Sequence, residues 1–405
     1  MARRPTSAWR GLATRFLAAL LGVAFAAGGI VAMVASAPVS SSVIRVHHAA
    51  LVWHRTSSSP ASLSFPESGS AAWFITGANT GGAVRDLLPV PIASVTKMMS
   101  ALVVLDALPL QPGDTGPCTT AQSVDVAAYQ HFAATGQSRA AVAVGEQICE
   151  DQLLAGLLVR SAGNYLTLLE RLMRVDQAQF VSAMNRRAER MGLHATHYVE
   201  PTGFDPRNVS TATEQIEVAR ALMANPVAAE LVNHSTVTLP VAGTVPSWTP
   251  LAGTGDVVGV KSGRTEAAGG CDVLALRYQN RHGGGLVFAA VFGQRGGDLV
   301  TPAGDAANRL ARSVLDAHAT WRLPRGTSVA SVTWGTTHAH VVTESGVTLR
   351  RLLWQVPPTI WVDHLSVTHA VVAGQRVGWL VAGSHRVALV VTGEVAPPTL
   401  WQRLR

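Results

Sequence analysis

Of the 32 basic side chains in this 405-residue sequence, only Lys97 and Lys261 are lysines. Arginine keeps its proton in any protein environment, whereas a buried lysine can give its proton up and act as a base. The chain has therefore kept its two convertible cations at two places, and chemistry is expected there. Lys97 follows Ser94 by three residues in Ser94-Val95-Thr96-Lys97. Residues three apart on a helix share a face. A hydroxyl at a helix start beside a desolvated amine is a nucleophile beside its base. Two further motifs follow in order, Ser161-Ala162-Gly163-Asn164 and Lys261-Ser262-Gly263.

Each motif needs an element to hold it. The apolar run Ala101–Leu105 makes Ser94 the start of a buried helix. Leu153, Leu154, Leu157 and Leu158 recur with helical spacing, which predicts a helix over 151–160. Ser161–Asn164 interrupts it before a second helix over 165–173. Further helices are expected over 180–191, 213–224 and 303–317. Lys261 ends an expected strand, Val257–Lys261, and strands are also expected over 71–76, 273–277 and 286–292. Between 119 and 150 a small subdomain is expected, with short strands near Ser123-Val124 and Ala140–Val144. Helices embedded in a largely antiparallel sheet make an α+β class. From residue 321 to 405 the texture changes to short strands separated by turns, an all-β domain.

The flanks sharpen this. Pro91-Ile92-Ala93-Ser94-Val95-Thr96-Lys97-Met98-Met99, His197-Tyr198-Val199-Glu200-Pro201-Thr202-Gly203-Phe204-Asp205 and Val258–Cys271 around Lys261-Ser262-Gly263 resemble the serine-type D-alanyl-D-alanine carboxypeptidases, the low-molecular-mass penicillin-binding proteins. The resemblance covers roughly residues 70–318, and the β-rich end is similar in character to that family's C-terminal domain. It implies a penicillin-binding/β-lactamase-like transpeptidase fold. It also implies removal of the terminal D-Ala from peptidoglycan stem peptides through an acyl-enzyme on Ser94. Lys97 would take the Ser94 proton and Ser161 would relay a proton towards the leaving amine. Lys261, Ser262 and Gly263 would form the strand that anchors the substrate carboxylate. The backbone N–H groups of Ser94 and Arg264 would form an oxyanion hole. β-Lactams would acylate Ser94 as mimics of the D-Ala-D-Ala end.

One position departs from the pattern. The family carries Asn or Asp two residues after the second-motif serine, where this chain has Gly163, with Asn164 one residue later. Either Asn164 supplies the amide to substrate or the amide is missing. The alternatives to a carboxypeptidase are a homologue that binds stem peptides or β-lactams with weak turnover, which Gly163 favours, and a serine β-lactamase, which the flanks and the β domain disfavour. Glu266 is expected at the solvated surface; for Arg264 and Arg295 a solvated surface is the favoured reading, and contact with an anionic substrate is the alternative. No metal or organic cofactor is implied.

Composition bounds the setting. Arg3, Arg4, Arg10 and Arg15 precede an uncharged stretch from Phe16 to Ala37, which as a helix would span about 33 Å against a bilayer core of about 30 Å. Residues 1–37 are thus expected to be a signal peptide or an uncleaved anchor, with the remainder in the cell envelope outside the membrane. Residues 38–65, rich in Ser, Ala and Pro, are expected to be a linker and residues 66–320 the catalytic domain. The formal charge of +7 is scattered, with no basic run, which argues against nucleic acid. An exported chain permits a disulfide. Cys118 and Cys149, each beside an expected strand, are the expected pair, with Cys271 buried and free.

Overall fold

The computed structural model describes residues 41–47, 51–56, 63–280, 283–352, 355 and 357–403. The arginine-flanked apolar stretch 16–37 lies outside the described residues. Among those described, no helix is long and apolar enough to cross a membrane. The chain divides into two compact units, one built on Ser57–His318 and the other on Ala319–Arg351 and Pro357–Arg405 together with the described residues up to Thr56.

The first unit carries β1 (Ser70–Ile75), β2 (Thr80–Val84), α1 (Lys97–Ala107), α2 (Ser123–Ala134), α3 (Glu150–Leu158), α4 (Leu166–Met173), α5 (Gln177–Arg190) and α6 (Ala212–Ala224). It closes with β3 (Val257–Thr265), β4 (Gly269–Asn280), β5 (Gly283–Gln294) and α7 (Val300–Asp316). The five strands form one antiparallel sheet in the order β3-β4-β5-β1-β2. Val287–Phe292 of β5 is buried at every position, the pattern of a strand covered on both faces rather than one. Helix α6 packs against β1 and β5, and α7 against β4 and β5. Strand β3, which bears Lys261, is left at the sheet edge.

Helix α1 is buried from Lys97 through Leu105. A helix apolar all round belongs inside a core, and α3, α5 and α6 surround this one. A short 3-10 turn, Ala93–Thr96, leads into it. Two expected strands are absent. Ser123-Val124 opens α2, because Gln122 and Asp125 form a capping box there. Ala140 is in no strand: its N–H and carbonyl both bond the Asn164 side chain, at 3.0 and 2.9 Å. Cys118 and Cys149 face each other across the short strands Cys118–Thr120 and Gln147–Cys149 and are disulfide-bonded, while Cys271 is buried and free.

The second unit is built of β-strands, with one short helix, Leu400–Arg403. Its six-stranded sheet runs Val43–Val46, Ser328–Trp334, Thr337–Thr343, His385–Val391, Arg376–Ala382, Ile360–Leu365 in spatial order. Val329, Val332, Val341, Leu380, Leu389 and Val391 form its core. Its first strand corrects the expected 38–65 linker. Val43–Val46 pairs antiparallel with Ala330–Thr333, and His54–Thr56 pairs with Thr320–Arg322. Four residues carry too little alternation to declare a strand, so the partner strand defines it.

Candidate active site

The site begins with a backbone constraint. Ala93 lies in the left-handed region, at φ 48°, which is uncommon for a residue with a Cβ and typical of strained functional turns. This turn starts the 3-10 segment and leaves Ser94 half-buried where α1 begins. Lys97, 2% exposed, donates from Nζ to Ser94 Oγ at 2.7 Å and to the Thr202 carbonyl at 2.8 Å. Burial lowers the Lys97 ammonium to about 8, against the opposing pull of Glu200. A minority of Lys97 is then neutral at pH 7, and that neutral amine can accept the Ser94 proton.

The loop that offers the Thr202 carbonyl is rigid for a visible reason. Glu200 Oε1 accepts from the Gly203 N–H at 2.5 Å and from Asn208 Nδ2 at 2.9 Å. Its Oε2 accepts from the Thr202 N–H and hydroxyl at 2.7 and 2.6 Å. Gly203 has φ 82°, and a Cβ there would lie 1.8 Å from the Ala93 carbonyl oxygen. Only glycine permits this approach of the loop to the Ser94 turn.

Strand β3 brings the third motif. Gly263 lies so close that a Cβ would meet the Ser94 nitrogen at 2.4 Å. Lys261 is fully buried and donates to the Ser262 carbonyl at 2.8 Å. Burial holds its ammonium well below the usual lysine range; neighbouring Lys97 lowers it further and Asp272 opposes. Ser262 is buried too, and its hydroxyl donates to the Trp248 carbonyl at 2.9 Å.

A cavity of about 630 Å³ opens over Ser94 and Lys97. Thr202, Phe204, Trp248, Arg264, Gln137 and Ser138 also line it. The Arg264 guanidinium carbon lies 5.8 Å from the centre of the Trp248 ring, with Arg160 at 5.3 Å, within cation–π range. Glu266 and Arg295, expected at the solvated surface, line the same cavity, and Arg295 donates to the Glu266 carbonyl at 3.0 Å.

The second motif is where expectation and structure part. Ser161 is fully buried at φ 62°, and its hydroxyl makes no hydrogen bond. It is not among the cavity-lining residues. Asn164 does not supply an amide to the cavity, because both ends of that amide are held by Ala140. Gly163 has no room for a side chain: a Cβ would lie 2.4 Å from the Phe132 ring. The Gly163 N–H instead bonds the Ser138 carbonyl at 3.0 Å. Gly163 and Asn164 together therefore clamp segment 138–140, and Gln137 and Ser138 line the cavity that opens over Ser94. Sequence patterns gave no sign of these two, since the contact joins loops about 25 residues apart. Trp248 and Glu200 were likewise missed as site residues.

These features meet known proteins at the level of family and fold. The sequence profile described as D-alanyl-D-alanine carboxypeptidase (peptidase S11) matches residues 59–293. The D-alanyl-D-alanine endopeptidase of Pseudomonas aeruginosa is 37% identical over 151 residues, 36% of this chain and 44% of that protein, so the match spans less than half of that relative. The D-alanyl-D-alanine endopeptidase of Escherichia coli is 29% identical over 229 residues, 53% of this chain and 70% of that protein. Penicillin-binding protein 5 from Haemophilus influenzae superposes with a TM-score of 0.57 at 17% identity, covering 82% of this chain and 98% of that one, a likeness of fold. With the profile covering more than half of its length, the chain belongs to the D-alanyl-D-alanine carboxypeptidase family, peptidase S11.

Proposed function

We propose that this chain is a serine D-Ala-D-Ala carboxypeptidase of the cell envelope, which removes the terminal D-Ala from peptidoglycan stem peptides. The observation that carries the proposal is the 2.7 Å contact from Lys97 Nζ to Ser94 Oγ, made by a lysine that burial brings to about 8. Neutral Lys97 takes the hydroxyl proton as Ser94 Oγ attacks the carbonyl of the penultimate D-Ala. The tetrahedral intermediate collapses to an acyl-Ser94, the proton passes to the departing D-Ala amine, and water completes the hydrolysis. The guanidinium of Arg264 on the cavity wall favours a substrate ending in a carboxylate, with Lys261 buried behind it on the same strand. Ser161, enclosed and without a hydrogen bond, does not line the cavity, so the proton is passed to the leaving amine by Lys97. Export is supported by the arginine-flanked apolar stretch at residues 16–37 and by the Cys118–Cys149 disulfide; membrane attachment would run through that stretch if it is retained.

A second reading, a chain that acylates and turns over weakly, has a specific observation in its favour: no side-chain amide from residues 161–164 lines the cavity. Release of D-Ala from a pentapeptide ending in D-Ala-D-Ala separates the two. Catalytic release, abolished in Ser94→Ala, supports the carboxypeptidase; a single stoichiometric burst supports the weak homologue.

A further inference from the structure

We propose that Trp248 is a positioning residue for the carboxylate of the ligand: its indole holds the Arg264 guanidinium at the cavity wall without neutralising it. Trp248 lies in residues 247–256, which form no helix or strand, yet its backbone is fixed on two sides. Its N–H donates to the carbonyl of Val159, at the end of α3, at 2.8 Å. Its carbonyl accepts the Ser262 hydroxyl at 2.9 Å, and the Ser262 N–H donates to the Thr249 hydroxyl oxygen at 3.2 Å. The residue is thereby pinned between the helix that leads into the second motif and the strand that carries the third. It also forms part of the cavity wall.

Two guanidiniums lie against this ring, that of Arg160 at 5.3 Å and that of Arg264 at 5.8 Å from its centre. Among the described residues, neither has a carboxylate within ion-pair distance. Asp298, the acid whose field reaches Arg264, uses its carboxylate to accept from the Thr301 N–H and hydroxyl at 2.8 and 2.9 Å. It offers Arg264 its backbone carbonyl at 3.5 Å, the outer limit of a hydrogen bond. The difference matters for binding. A carboxylate partner would order Arg264 but cancel its charge, and an incoming anion would have to displace it. An aromatic face orders the guanidinium through its quadrupole and leaves the charge uncancelled. Arg264 is exposed and its stem is long, so without the ring much of the gain on binding an anion would be lost in fixing the side chain. Arg160 on the same ring adds positive charge and no competing anion, and Lys97 and Arg295 line the same cavity. The fitting ligand is a peptide ending in a carboxylate. That assignment rests on the carboxypeptidase reading; the holding of Arg264 by Trp248 does not.

The test uses the full-length chain carrying Ser94→Ala, so that binding is read without reaction, with N-acetyl-D-Ala-D-Ala and its C-terminal amide as probes. Arginine ¹⁵Nε labelling gives the Arg264 signal, assigned by its loss in Arg264→Ala. The signal should be displaced by the indole ring current, lose that displacement in Trp248→Leu and keep it in Trp248→Phe. Affinity for the carboxylate probe should fall about fivefold in Trp248→Leu, stay near the starting value in Trp248→Phe, and be unaffected by Trp248→Leu once Arg264→Ala is present. The amide should bind equally well to all of them. An Arg264 signal unmoved by Trp248→Leu, or an equal loss of affinity with and without Arg264, overturns the proposal. Should Trp248→Leu fail to fold, Arg264→Ala, a change at an exposed side chain, still decides: it should weaken the carboxylate at least about fivefold and spare the amide, and an unchanged carboxylate affinity overturns the proposal. Failure of both probes to bind overturns the carboxylate assignment together with the carboxypeptidase reading, whereas the ring-current shift separately upholds or refutes the holding of Arg264.

Discussion

Gly263 and Ser94 approach so closely that a Cβ on the glycine would come 2.4 Å from the serine nitrogen and 3.1 Å from the Ala93 Cβ. The third motif is therefore glycine at this point because β3 rests against the turn that presents the nucleophile. Gly263→Ala must push strand and turn apart. A displacement near 1 Å at a reacting centre can reduce rate about a hundredfold, and acylation by a penicillin should fall by about that factor while the protein still folds. Stopped-flow acylation beside a melting curve checks this; an unchanged rate would show that the close approach is irrelevant to the chemistry.

The Lys97 environment predicts a pH profile. The amine must be neutral to accept the Ser94 proton, so acylation should rise with pH through about 8 and level off above it. Glu200 raises the Lys97 value by stabilising the ammonium. Glu200→Gln removes that anion and should move the rise to lower pH. A profile that shifts upward in this variant contradicts the assignment of Lys97 as base.

At the second motif, Phe132 occupies the space a side chain at 163 would need. Gly163→Asn alone should destabilise the protein by about 1–3 kcal/mol through overpacking. Combined with Phe132→Ala, the asparagine should fit, and a double-mutant cycle in urea should show favourable coupling of about 1 kcal/mol. Additive effects would place Phe132 elsewhere in solution.

Asn164 is predicted to act through the loop it clamps. Asn164→Ala leaves the Ala140 N–H and carbonyl without their partner, which costs about 1–3 kcal/mol, and it frees the segment that carries Gln137 and Ser138. Acylation should slow in Asn164→Ala and also in Gln137→Ala, the second with its melting temperature intact. Full-rate acylation in both would mean that this segment takes no part in substrate positioning.

How much of this was legible in the sequence depended on how far each residue's partner lies along the chain. Ser94 and Lys97 are three residues apart on one helical start, and the scarcity of lysine marked them, with Lys261, before any fold was known. The disulfide was readable because each cysteine adjoins a recognisable short strand. Asn164 was different: a side-chain amide does not declare what it bonds, and its partner Ala140 is 24 residues away. Val43–Val46 carries no strand signal of its own, because the strand that pairs with it lies beyond residue 320.

The central claim, that Ser94 is the nucleophile and Lys97 its base, is tested most directly by a fluorescent penicillin. The wild type should become covalently labelled, with the mass of the adduct on the peptide containing Ser94. Ser94→Ala should not label, and Lys97→Arg, which keeps the charge but cannot act as a base, should label at least about a hundredfold more slowly. Persistent labelling of Ser94→Ala, or a Lys97→Arg variant as fast as wild type, would contradict it.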